Sequence, residues 1–141
     1  MSVIQKIRSL LSKSLISFQI LSDLHPKVCR QCSSFEIPVS AWYLVLASDV
    51  GRLVDYDDYL SFLRRQTERF ERGFLVLGNH EFYGASFVTG LEKARKLEKE
   101  SSLNGKFVLH QTRYDIPNSH VTILGCTLWS SITEEAKDVV K

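Results

Sequence analysis

Six side chains able to bind cations or move protons stand in three short blocks of this chain. Asp23 and His25 lie in Ser22-Asp23-Leu24-His25, Asp49 in Ser48-Asp49-Val50-Gly51, and Asn79, His80 and Glu81 in Gly78-Asn79-His80-Glu81. Asp23 and His25 are two residues apart, so in extended chain they share a side, and a carboxylate and an imidazole there can chelate one ion. Asn79, His80 and Glu81 set an amide, an imidazole and a carboxylate in succession. Each block alone also reads as a solvated turn, and D-x-H arises often by chance; the signal lies in the three together. A carboxylate placed between the other ligands can bridge two cations about 3.5–4 Å apart, the spacing used in phosphoryl chemistry. Mixed imidazole, carboxylate and amide donors suit Mn, Fe or Zn better than Ca or Fe–S.

Each block follows an apolar run. Phe18–Leu21, Ala41–Ala47 and Phe74–Leu77 read as short buried strands. Between the second and third, Asp55–Arg72 reads as a helix. Asp55, Asp57 and Asp58 start it, Leu60, Leu63 and Phe70 give it an apolar face, and Gly73 stops it. Strand, helix, strand implies a parallel pair with a right-handed crossover, so the blocks fall side by side at strand carboxyl ends, where open α/β sheets build sites. Gly78, without a Cβ, lets the backbone turn sharply and approach a ligand closely. Downstream, Ser86–Leu103 reads as a helix with Phe87, Leu91, Ala94 and Leu97 inward and a solvated charged face. Lys106–Leu109 and Val121–Cys126 read as strands, Tyr114–Ile116 as a short one, and Thr133–Lys141 as the first turns of a helix. Pro26–Ser40 reads as a loop. The fold class is α/β.

The three blocks, in this order and each after a strand, resemble the calcineurin-like metallophosphoesterases. Asp23-Leu24-His25 matches the family's D-x-H, Ser48-Asp49 its Gly-Asp, and Gly78-Asn79-His80-Glu81 its Gly-Asn-His-Glu. GNHEFY together with Ile123–Ser130, ILGCTLWS, is similar to a microbial and fungal branch described only as calcineurin-like phosphoesterase domain proteins. The resemblance covers Phe18 to about Ser130. It implies a sandwich of β-sheets flanked by helices and two divalent metal ions, Mn, Fe or Zn. Asp23 and His25 would hold the first ion, Asp49 would bridge, and Asn79 would hold the second. His80 would contact the scissile phosphate and protonate the leaving oxygen of a phosphomonoester or phosphodiester, with water activated by the ions as nucleophile.

Two departures stand out. Ser48 takes the place of a glycine, which costs about 1 kcal/mol or more if that backbone needs positive φ. The family's later histidine block and its Gly-His-x-His block have no counterpart here, and His110 and His120 sit in other contexts, as strand-edge or loop residues. Residues 18–141 therefore read as the N-terminal part of such a domain, expected to be a weak catalyst with one sheet face uncovered and open to association. The alternative is a non-catalytic remnant acting at most as a metal-binding or interaction module; a third reading is a phosphate-binding α/β protein without metals.

At 141 residues, 44% hydrophobic and 24% charged, the chain suits one globular domain. A net charge of +2 makes no case for nucleic acid, and no apolar run reaches the ~20 residues of a membrane span. Residues 1–17 form a basic extension with Lys6, Arg8 and Lys13 and no acid. They fit a surface amphipathic helix or a mitochondrial presequence. Three cysteines, Cys29, Cys32 and Cys126, without a signal peptide point to a reducing, cytoplasmic setting. Cys29 and Cys32 have C-x-x-C spacing but no second pair for zinc and no strand-to-helix context for redox chemistry.

Overall fold

The computed structural model describes residues 16–24, 35–103, 108–129, 131 and 133. Strands β1 (Phe18–Leu21), β2 (Tyr43–Ala47) and β3 (Arg72–Val76) form a parallel sheet in the order β1-β2-β3. Helix α1 (Tyr56–Thr67) connects β2 to β3, and α2 (Phe87–Glu98) follows β3. Strands β4 (Thr112–Asp115) and β5 (Thr122–Gly125) pair as an antiparallel hairpin. The architecture is mixed α/β. The expected strand at 106–109 is a single parallel bridge of Val108 to Leu75, continued by the Leu109 N–H donating to Leu75 O at 2.8 Å; residues 106 and 107 lie outside the described set.

A parallel sheet covered on both faces needs apolar residues at every position rather than alternation, and YLVLA in β2 and FLV in β3 supply them. One face presents Leu44, Leu46, Leu75 and Leu77 to a core shared with Tyr59, Phe62 and Leu63 of α1 and Ala94 and Leu97 of α2. The other presents Tyr43, Val45, Phe74 and Val76 to Leu109, Tyr114, Ile116 and Ile123. Phe18, Tyr43, Phe74 and Tyr114 run across this second face with successive ring centroids 5.3, 6.4 and 5.2 Å apart. Arg72 lies 4.6 Å over the Tyr114 ring.

The expectation of an uncovered sheet face is thereby corrected for β2 and β3, which the hairpin covers. In β4, TRYD, only Tyr114 is apolar enough to signal an inward position, so alternation is too weak to read in advance. On β1, Ile20 of the same face stays 67% exposed, and Leu124 on the hairpin's outer side is 75% exposed.

Helix α1 also differs from its expected span. It ends at Thr67, and by Glu71, whose N–H donates to Trp42 O at 2.9 Å, the chain has already joined the sheet. Gly73 is a strand residue opposite Leu44, not a helix stop. Asp55 takes the N-cap position, but its carboxylate pairs with Arg52 at 2.7 Å and caps no helical N–H. Buried Gln66 on α1 accepts from Ile37 N at 2.8 Å and donates to Phe35 O at 2.7 Å, tying down the segment that leads into β2. At the start of α2, Ser86 accepts from Thr89 N as an N-cap. Ala94 and Leu97 are buried as expected, while Phe87 is 46% exposed.

The segments 1–15 and 134–141, with the amphipathic helix and terminal helix expected there, and Cys29 and Cys32 lie outside the described residues. Ser17 already belongs to the sheet, its carbonyl accepting from Tyr43 N at 3.2 Å. No helix among the described residues is long and apolar enough to cross a membrane.

Candidate functional site

Strand register decides which residues meet. Leu21 pairs with Leu46, and Ala47 with Val76. Continued past the strand ends, that register sets Asp23 beside Ser48 and Asp49 beside Gly78. The Asp23 N–H accordingly donates to Ser48 O at 3.2 Å. Asp23, Asp49, Asn79 and His80 thus come from adjacent carboxyl ends of one parallel sheet. His25 lies outside the described residues.

The backbone there is held in an unusual conformation. Asp23, Ser48 and Asp49 have φ of +53°, +76° and +55°. Aspartate tolerates this left-handed region better than most residues, whereas a serine there costs roughly 1–2 kcal/mol. Two successive left-handed residues turn the chain sharply after β2. The Asp49 carboxylate then lies against Gly78 and accepts from His80 N at 3.0 Å, anchoring the tight turn His80–Phe82 that opens the block after β3.

Glu81 holds this arrangement from beneath. It is fully buried. Its Oε1 accepts from Val50 N at 2.7 Å, Gly51 N at 3.2 Å and the Tyr59 hydroxyl at 3.3 Å. Its Oε2 accepts from Gly78 N at 2.7 Å and Asp49 N at 3.0 Å. A carboxylate tolerates burial only when its charge is answered by donors, and here they come from both loops and from α1. Burial pushes the Tyr59 phenol well above its ordinary value, and the neighbouring Glu81 carboxylate adds to the effect.

In sequence, Glu81 stood with Asn79 and His80 as a ligand or proton-transfer group. The structure separates them: Asn79 is exposed and His80 half-buried, while Glu81 is a backbone clamp under the site. Tyr83 is the residue the sequence reading missed. Its hydroxyl accepts from Asn79 Nδ2 at 3.0 Å, and its ring stacks on His80 with centroids 4.3 Å apart and planes 29° apart. The signal lay in spacing, since residues three and four apart meet across a helical turn. A third segment reaches the same sheet edge, where the Thr127 hydroxyl donates to Leu77 O at 2.6 Å. Beyond it Trp129 packs edge-on against Phe82 and Phe87. His120 is exposed in the β4–β5 connection. His110, after the bridge at Val108, has a buried Nδ1 with no hydrogen-bond partner among the described residues.

Asp23, Asp49 and Asn79 offer hard oxygen donors, the kind that divalent cations take, and the missing Cβ of Gly78 leaves the Asp49 carboxylate room at the sheet edge. One Asp49 oxygen serves His80 N, and a carboxylate offers about four acceptor positions. Among the described residues no three of the His, Cys, Asp and Glu side chains form one close group. No family model, curated protein or solved structure matches the chain.

Proposed function

We propose that this chain is a metal-dependent phosphoesterase, or the ligand-bearing part of one, of the calcineurin-like type, acting on a phosphomonoester or phosphodiester. One observation carries the reading. Asp23, Asp49, Asn79 and His80 share the carboxyl edge of one parallel sheet, and a buried carboxylate fastens the loops that bear the last three. Asp23 and His25 would hold one ion, Asp49 would bridge, and Asn79 would hold the other. When bound, the ions lower the pKa of water and offset charge on the transferring phosphoryl group.

The chain's own residues do the rest. The Asp49 carboxylate accepts from the His80 backbone N–H, which holds the His80 backbone beside Asp49. From there His80 would contact a phosphate oxygen and give a proton to the leaving oxygen, general-acid help commonly worth about 10²–10⁴ in rate. Glu81 holds the β2 and β3 loops together without touching substrate.

The test is Mn²⁺ titration by calorimetry, with hydrolysis of p-nitrophenyl phosphate and its bis-ester, on wild type, Asp49→Asn and His80→Ala. The expected result is Mn²⁺ binding by wild type and His80→Ala, much weaker binding by Asp49→Asn, and loss of any hydrolysis in both variants. Absence of Mn²⁺ binding by wild type, or equal affinity in Asp49→Asn, overturns the assignment.

A further inference from the structure

We propose that Tyr83 is a positioning residue that orients both Asn79 and His80; the inference rests on the metal-site reading above. An asparagine amide has one face that a cation accepts, its carbonyl oxygen, and one that it rejects, its NH₂. Rotation about the last side-chain bond exchanges the two. Asn79 is exposed, so its own packing does little to choose between them. The Tyr83 hydroxyl makes the choice: it accepts from Nδ2 at 3.0 Å, which turns Oδ1 to the opposite side of the planar amide. The same side chain restrains His80, whose ring lies 4.3 Å from the phenol ring and 29° from parallel to it.

The geometry ties this pair of contacts to the turn. Asn79, His80 and Tyr83 lie within one tight turn in which Tyr83 N–H donates to His80 O at 3.1 Å and Phe82 N–H to Asn79 O at 3.1 Å. Tyr83 is four residues after Asn79 and three after His80, so one side chain reaches both. The hydroxyl acts on the metal ligand and the ring acts on the proton donor. These two roles separate by substitution: Tyr83→Phe removes the first and keeps the second, while Tyr83→Leu removes both.

The experiment has a metal-free arm and a metal arm on wild type, Tyr83→Phe and Tyr83→Leu. In the metal-free chain, NMR follows the Asn79 side-chain NH₂ signals and the His80 ring protons. The Asn79 signals should move toward those of a free amide in both variants. The His80 ring-current shift should persist in Tyr83→Phe and vanish in Tyr83→Leu. With Mn²⁺, calorimetry should show affinity falling about two- to tenfold in both variants, the range expected for one neutral hydrogen bond. At saturating Mn²⁺, kcat for a p-nitrophenyl ester should be retained in Tyr83→Phe and reduced in Tyr83→Leu. Unchanged Asn79 signals in Tyr83→Phe, or an unchanged His80 shift in Tyr83→Leu, overturn the proposal. If wild type binds no Mn²⁺, the metal-site reading fails, and the NMR arm alone then decides whether Tyr83 orients the two side chains.

Discussion

Gly78 stands so close to Asp49 that a methyl group at position 78 would collide with the Asp49 carboxylate, with Ser48 Cβ 2.7 Å away and Asp49 Cγ 2.9 Å away. The constraint is one of space. Among the described glycines Gly84 is the one with positive φ, so Gly78 is not needed for an unusual backbone angle. Gly78→Ala should therefore push the β2 and β3 loops apart. The expected cost is about 1–3 kcal/mol, the usual range for overpacking, read from the urea midpoint. Because the same methyl displaces the Asp49 carboxylate, Mn²⁺ affinity should fall in the folded protein as well.

Glu81 makes the complementary prediction. In Glu81→Gln one carboxylate oxygen becomes an NH₂ that cannot accept, so some of the backbone N–H groups of Asp49, Val50, Gly51 and Gly78 lose their partner. Leaving buried donors unsatisfied costs about 1–3 kcal/mol each, more when the lost partner was charged. Equilibrium unfolding should show a loss of at least about 2 kcal/mol, and amide exchange at Val50 and Gly78 should accelerate selectively. Destabilisation without faster exchange at those two amides would mean the clamp is not what Glu81 supplies.

These relationships mark how far the sequence could be read. The parallel pairing of β2 with β3 was legible because YLVLA and FLV are too apolar for any exposed face, and because a helix separates them. The end of α1 was not, because Arg69, Arg72 and Gly73 imitate a helix stop while Gly73 in fact pairs with Leu44. The cover on the second face was not, because Tyr114 and Ile123 bury only one side of two short, polar-looking strands. Within the site, the residue types at strand ends were readable, but Asn79, His80 and Glu81 are neighbours in sequence with opposite fates. Which carboxylate goes under the loops depends on where the free N–H groups of Val50 and Gly51 point, and that is set by the left-handed turn at Ser48 and Asp49.

Tyr59 gives the fold a pH dependence of definite sign. Its phenol is fully buried and pushed well above its ordinary value near 10, first by desolvation and then by Glu81. Tyr56 shifts the same way, through burial and its 2.7 Å hydrogen bond to Glu100. A folded-state pKa above the unfolded value favours the neutral phenol in the fold. Its contribution is fully present below the unfolded pKa and is lost as pH rises through the folded one. Urea midpoints should thus fall as pH rises beyond about 10. Tyr59→Phe should cost about 1 kcal/mol at neutral pH for the lost hydrogen bond and make the alkaline fall shallower. A slope unchanged in Tyr59→Phe would mean other groups govern alkaline unfolding.

Ser48 supplies the last prediction. Its φ of +76° is the left-handed conformation that the glycine-to-serine departure placed in question. A Cβ in that region costs roughly 1–2 kcal/mol. Replacing serine with glycine removes that cost but gives back about 0.4–1 kcal/mol through the freer unfolded chain. The two terms leave Ser48→Gly more stable by about 0.5–1 kcal/mol. Ser48→Ala keeps the Cβ and should show no such gain, so the pair separates backbone strain from loss of the hydroxyl. The backbone position also matters to Asp23, whose N–H donates to Ser48 O, and to Asp49, the next residue in the same conformation. Relief of strain should leave both carboxylates where they are, so Mn²⁺ affinity should be unchanged or higher in Ser48→Gly. If Ser48→Gly melts below wild type with and without Mn²⁺, position 48 is not strained and the left-handed turn owes its stability to the Glu81 hydrogen bonds alone.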